Sequence, residues 1–151
     1  MESKSVTAQR DPVVEFTVMI DGGDRWMVRF VHMLSMHGNF ILGFTCQSNP
    51  GYSILRFLTE SPQDVRELLQ VQGITFSECT VVVVRIRSLD QMDALFRCLA
   101  NNEVTLKYSY SLFSGITEGH GIVLSLDNDT MAIGALTKGG FEVLSPNDFC
   151  R

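Results

Sequence analysis

Met27-Val28-Arg29-Phe30-Val31-His32-Met33-Leu34 and Met92-Asp93-Ala94-Leu95-Phe96-Arg97-Cys98-Leu99 are two versions of one helix. Apolar residues fall at Met27, Phe30, Val31 and Leu34 in the first and at Met92, Leu95, Phe96 and Leu99 in the second. That is the spacing of a single buried helix face. Met27 to Met92 and Leu34 to Leu99 both span 65 positions. A fixed offset of this size marks an internal repeat, and a repeat predicts architecture well.

Reading outward from these helices gives the same order of elements twice. Val13 to Asp21 is rich in Val, Phe and Ile and predicts a strand. After the first helix, Asn39–Gln47 and Tyr52–Glu60 predict two more strands around the turn Ser48-Asn49-Pro50-Gly51. Ser61-Pro62 starts a second helix, which stops at Gly73, and Ile74–Glu78 predicts a fourth strand. The second half opens with Thr80–Arg87, whose run Val81-Val82-Val83-Val84 suits a central strand. Ser88-Leu89-Asp90-Gln91 reads as a capping box for the helix that carries Met92. Val104–Phe113 alternates, with Leu106, Tyr108, Tyr110 and Leu112 on one face. Gly121–Leu126, a helix from Asn128 and Phe141–Leu144 complete the pattern.

The expected fold is therefore α+β. It consists of two ferredoxin-like βαββαβ units in tandem, each with two helices on one face of an antiparallel sheet. The units are residues 13–78 and 79–151, after a flexible tail at 1–12. A unit of about 65 residues is marginal alone, so the halves should share a core or a sheet.

Composition narrows the function. The 151 residues are 45% hydrophobic, carry a net charge of −5 and contain no Lys/Arg cluster. Nucleic acid and anionic membrane are poor partners for such a chain. No run approaches a membrane span or the apolar stretch of a signal peptide, which predicts a cytoplasmic protein. The four cysteines, Cys46, Cys79, Cys98 and Cys150, lack metal-binding spacing. No metal, cofactor or catalytic constellation is expected, and Glu118 with His120 has no nucleophile beside it.

The element order resembles the ACT domain, a small regulatory module that often binds amino acids. His37-Gly38-Asn39-Phe40-Ile41 is similar to that family's helix end and second strand, and Gly139-Gly140-Phe141-Glu142-Val143-Leu144 to its last helix stop and strand. Phe44-Thr45 with Asn49-Pro50-Gly51-Tyr52-Ser53 resembles the regulatory subunit of acetolactate synthase. The likeness covers Val13 to Leu144. It implies a non-catalytic module that binds an amino acid or similar small ligand and acts through an oligomer, most simply a homodimer, or through a partner. The alternative it implies is a regulatory subunit of an amino-acid biosynthetic enzyme such as acetolactate synthase.

One departure bears on binding. The family's usual Gly at the first turn of the first helix is Arg25 here and Asp90 in the second half. Gly22 and Gly23 lie slightly earlier. The first candidate site is the loop Asp21, Gly22, Gly23, Asp24, Arg25 and Trp26. A helix N-terminus suits a carboxylate, while Asp21 or Asp24 suits an ammonium and Arg25 a carboxylate. The resemblance adds Asn39, Phe40 and Ile41 from a neighbouring unit. The same loop also reads as an acidic turn with a capping Asp24. The equivalent loop Arg87–Met92 is better explained by its capping residues. An edge or face at Tyr108, Tyr110 and Leu112 is expected to be covered.

Overall fold

The computed structural model describes residues 11–21 and 24–149. Most of the expected tail, Gly22, Gly23, the Asp24 side chain and residues 150–151 lie outside that description. The elements are β1 (Val13–Ile20), α1 (Asp24–Met36), β2 (Ile41–Asn49), β3 (Tyr52–Thr59) and α2 (Pro62–Val71). They continue with β4 (Phe76–Ile86), α3 (Asp90–Asn101), β5 (Leu106–Ser111), β6 (His120–Leu126), α4 (Asp129–Lys138) and β7 (Glu142–Leu144). The class is α+β.

All strand pairings are antiparallel and join one sheet in the order β2-β3-β1-β4-β6-β5, with β7 also on β4. The two strands expected at Ile74–Glu78 and Thr80–Arg87 are a single strand, β4. Its first part, Phe76–Val81, pairs with β1. Its second part, within Val82–Ile86, pairs with β6 and β7. No turn residue separates Glu78 from Thr80, and the strand runs straight through Cys79.

Local chemistry sets the ends of the helices. Gly38 takes a φ of 70°, where an L side chain is disfavoured. The following Asn39 N–H then returns to the Leu34 carbonyl at 2.9 Å, closing α1. Asn128 caps α4 by accepting from the Met131 N–H at 3.0 Å. The expected capping box at Ser88–Gln91 does not form. Leu89 occupies the cap, and the Gln91 side chain instead accepts from the Arg87 N–H.

Three cores follow from strand alternation. Phe16, Val18, Phe57, Phe30 and Leu34 gather under α1 and α2. Val82, Val84, Leu95, Leu99 and Leu136 gather under α3 and α4. The third core lies on the helix-free face and draws on both halves, with Val13, Leu42 and Leu58 against Val83, Leu112 and Leu144. That face is enclosed because the sheet curls until its two end strands meet. The N–H groups of Phe113 and Ser114 donate to the Leu42 carbonyl at 3.0 and 3.2 Å.

The seam demands a residue without a side chain at Gly43. A Cβ there would lie 2.7 Å from Leu112 Cδ2 and 3.0 Å from the Ser111 carbonyl oxygen. Gly43→Ala should destabilise the protein by about 1–3 kcal/mol, the usual cost of overpacking. Urea unfolding of the two proteins would measure it. An unchanged midpoint would show that the seam tolerates the extra methyl.

Candidate functional site

A groove of about 800 Å3 runs along α1 on the helix side of the β2–β3 hairpin. Helix α1 has two apolar faces. Phe30, Met33 and Leu34 turn into the first core, and Val28 and Val31 form one wall of the groove. Phe44, Cys46 and Ser48 of β2 and Ser53 and Leu55 of β3 form the floor. The far wall is Phe113 from the second half, in edge contact with Phe44 at 6.0 Å between ring centroids. Val28 is 70%, Phe113 65% and Phe44 49% exposed. Side chains this apolar and this exposed, gathered in one concavity, form a contiguous apolar patch rather than scattered surface residues, which makes the groove the candidate site.

The candidate residues read from sequence sit around this groove in three ways. The chain leaves β1 with Ile20 opposite Ser53, so it enters the Asp21 loop beside the Asn49–Ser53 turn. Ile20 and Met27 line the groove at that end. Asp21 and Arg25 are exposed, and Asp24 is the first residue of α1. Trp26 is half-buried and stacks on Phe30 at 4.9 Å, packed against the first core. Asn39 is buried at the helix stop, Phe40 is exposed, and Ile41 lines the groove. The loop and Asn39–Ile41 are at opposite ends of α1. Thirteen residues of helix separate them by roughly 20 Å. Of Asn39, Phe40 and Ile41, Ile41 alone lines the groove that Ile20 and Met27 line at its other end.

The Arg87–Met92 loop has its polar groups occupied. Besides the Gln91 contact, Arg87 pairs with Glu118 at 3.0 Å and with Glu142 at 3.7 Å. Arg85 Nε lies 2.9 Å from Glu142.

Sequence reasoning missed Val28, Val31, Phe44, Ser48 and Phe113. The hint was present in α1, where Val28 falls off the buried stripe. The Phe113 wall had no local signal, because only curling of the sheet brings it across.

A second cluster lies inside the curl. Glu15 is 0% exposed. Tyr110 Oη donates to its Oε2 at 2.6 Å, Tyr108 Oη donates to its Oε1, and the Cys79 thiol approaches Oε1 at 3.5 Å. The Arg56 guanidinium lies 4.5 Å from the centroid of the Tyr108 ring. The face expected to need covering is thus covered from within the chain. Loss of hydration, and then the Glu15 carboxylate, push both tyrosine hydroxyls well above their ordinary value. The same causes push the Cys79 thiol up to about 11. At neutral pH it is a hydrogen-bond donor and not a thiolate.

No family model matches the sequence, and no curated protein matches it. Solved structures do match in shape. Protein BT0572 from Bacteroides thetaiotaomicron superimposes with a TM-score of 0.83 at 14% identity, covering 92% of this chain and 96% of that one. The regulatory subunit of aspartate kinase from Thermus thermophilus, in a ligand-free form, gives a TM-score of 0.57 at 12% identity over 87% and 94%. The corresponding subunit from Thermus flavus gives the same values. These likenesses establish an ACT-like fold.

The Glu15 cluster makes a testable prediction. A raised folded pKa means that the un-ionised tyrosines stabilise the fold fully below their ordinary value of about 10. That contribution is lost as pH rises through the folded values. Tyrosinate absorbance from Tyr108 and Tyr110 should therefore appear together with loss of circular dichroism at strongly alkaline pH. In Glu15→Gln it should appear at lower pH. Free ionisation of all three tyrosines in the still-folded protein near pH 10 would contradict this.

Proposed function

We propose that this chain is a non-catalytic regulatory module of two ferredoxin-like, ACT-type units, 13–78 and 79–151, with β4 running through both within one sheet. It binds an amino acid or similar small molecule, and binding acts on an oligomer or a partner protein. The observation that carries this reading is the groove along α1, lined at one end by Ile20 and Met27, the neighbours in sequence of Asp21 and of Arg25-Trp26. The helix N-terminus and Arg25 suit a carboxylate, and Asp21 or Asp24 suits an ammonium. The ACT-like fold is the framework in which this placement makes sense.

The distance between the loop and Asn39–Ile41 supports a homodimer. Beyond Leu42, β2 pairs only with β3 among the described residues, so its outer edge is available. Antiparallel pairing of two β2 strands about a two-fold axis sets the start of one, Ile41, beside the end of the other, Asn49. The end at Asn49 adjoins the Asp21 loop. Such a dimer unites Asn39, Phe40 and Ile41 of one copy with Asp21–Trp26 of the other.

A second reading is favoured by the Asn49–Ser53 turn. The stretch that resembles the acetolactate synthase regulatory subunit borders the groove. In this reading the module attaches to an amino-acid biosynthetic enzyme and modulates it.

Titration of the twenty amino acids should give a saturable change in emission from Trp26, which sits in the first turns of α1. The same amino acid should raise the melting temperature. Arg25→Ala should weaken the response by roughly tenfold or more, the loss of one charge-assisted contact. Flat emission and unchanged melting across the panel would refute ligand binding and leave the partner reading, which co-purification with an enzyme would then test.

A further inference from the structure

The sheet carries its helices on one face, α1 and α2 over the first core and α3 and α4 over the second. Those cores reach β2 only at Ile41 and β5 only at Leu106. Beyond these points the helix-side residues are Phe44, Cys46 and Ser48 on β2 and Ser109 and Ser111 on β5, with Phe113 just past its end. All six are exposed. The two strands meet where the Phe113 and Ser114 N–H groups donate to the Leu42 carbonyl and Gly43 abuts Leu112. There the bare strip is two strands wide, about 10 Å at the ordinary strand spacing. That is the diameter of one α-helix with its side chains. Its length follows α1, whose 13 residues measure roughly 20 Å. Among the described residues, the helix layer thus lacks one helix-sized element at the seam.

The strip is apolar where it borders α1, with Val28 and Val31 beside it and Phe44 and Phe113 standing in it. Covering these side chains removes apolar surface from water. The surroundings are positive. From Arg25 to Thr59 the chain has no Asp or Glu, although the whole protein carries a net charge of −5. The same holds from Val104 to Thr117, which contains Lys107. Arg25 and Arg29 are exposed on α1, and neither is in an ion pair among the described residues. An element that fills the strip meets apolar side chains beneath it and cations at its margin. A basic element would set like charge against like, and an acidic one is complementary.

We propose that this strip is the docking surface for an acidic, amphipathic helix of a partner protein, about three to four turns long. Its apolar residues, recurring at i, i+3, i+4 and i+7, pack on Val28, Val31, Phe44 and Phe113, and its carboxylates lie along the margin that carries Arg25 and Arg29. The proposal rests on the partner reading above and names the partner's docking element. A helix and a small molecule cannot occupy the groove together, so it is the partner reading alone that is deepened.

The probes are two fluorescein-labelled model helices of about 14 residues, the length of α1. They share one face of Leu and Phe and differ in carrying Glu or Lys elsewhere. Fluorescence anisotropy follows their binding to the full chain, to Val28→Glu and Phe113→Ser in the strip, and to Val71→Glu on α2 as a control. All three replaced side chains are exposed, so the packed cores stay intact. The Glu peptide should bind saturably, the Lys peptide roughly tenfold or more weakly. Val28→Glu and Phe113→Ser should each weaken the Glu peptide by roughly tenfold or more, and Val71→Glu should leave it unchanged. Equal binding of the two peptides would overturn the acidic class. Binding that ignores both strip substitutions would place the peptide elsewhere and overturn the assignment. A chain that sediments as a dimer, becomes monomeric with either strip substitution and binds neither peptide would put a second copy in the strip and overturn the partner helix. A monomeric chain that binds neither peptide would overturn helix docking, while co-purification with an enzyme would still uphold the partner reading.

Discussion

Glu15 has no exposed surface, and a carboxylate can be held away from water only where donors replace the lost hydration. Its donors come from the other half of the chain, as the hydroxyls of Tyr108 and Tyr110 on β5 and the thiol of Cys79 on β4. Strand β5 is not a neighbour of β1 in the sheet, since β4 and β6 stand between them. The contact exists only because the sheet curls. The apolar core on the same face adds to it, bringing Val13, Leu42 and Leu58 against Val83, Leu112 and Leu144. A buried carboxylate satisfied by one specific arrangement fixes the angle of closure, whereas an apolar contact alone tolerates sliding.

Closure also explains why the two halves present different surfaces. In the first half the hairpin β2–β3 extends past α1, and its helix side carries Phe44, Cys46 and Ser48 without a covering helix. In the second half the region around the start of α3 is filled by Arg85 and Arg87 with Glu118 and Glu142. Among the described residues, the first half thus carries an open groove where the second half carries these ion pairs. The loop at Arg87–Met92 is a structural junction, and the loop at Asp21–Trp26 is the end of a binding groove in the proposed reading.

Much of the fold was legible because its signals are local. The paired helix stripes, the run at Val81–Val84 and the alternation at Tyr108–Leu112 each depend on residues a few positions apart. The continuous β4 was not legible. Glu78, Cys79 and Thr80 look like a break, yet they carry backbone pairing with β1 that no side-chain pattern announces. Glu15 was missed for a related reason. It alternates with Val14 and Phe16 as a solvent-facing residue does, and only the curl turns that face inward. The charged loop of the candidate site was visible in sequence through its acids, its glycines and the helix start. The groove beside it was not. Its far wall, Phe113, comes from the second half of the chain and Val31 from the first, and the two meet through the seam at Leu42.

That seam ties the candidate site to the closure. Phe113 is positioned by its N–H bond to the Leu42 carbonyl, and Leu42 belongs to the core shared by both halves. A molecule seated between Val31 and Phe113 therefore touches both halves at once. Its effect on the protein is bounded by its difference in affinity between a tighter and a looser closure. The edge of β2 starts at the same place, so a change in closure moves the strand that a second copy would pair with. Glu15 opposes such movement from the other side of the sheet, because opening the curl would strip a carboxylate of its donors. In the proposed reading, any coupling between the groove and a second copy is set by how far the seam can yield while Tyr108 and Tyr110 keep hold of Glu15.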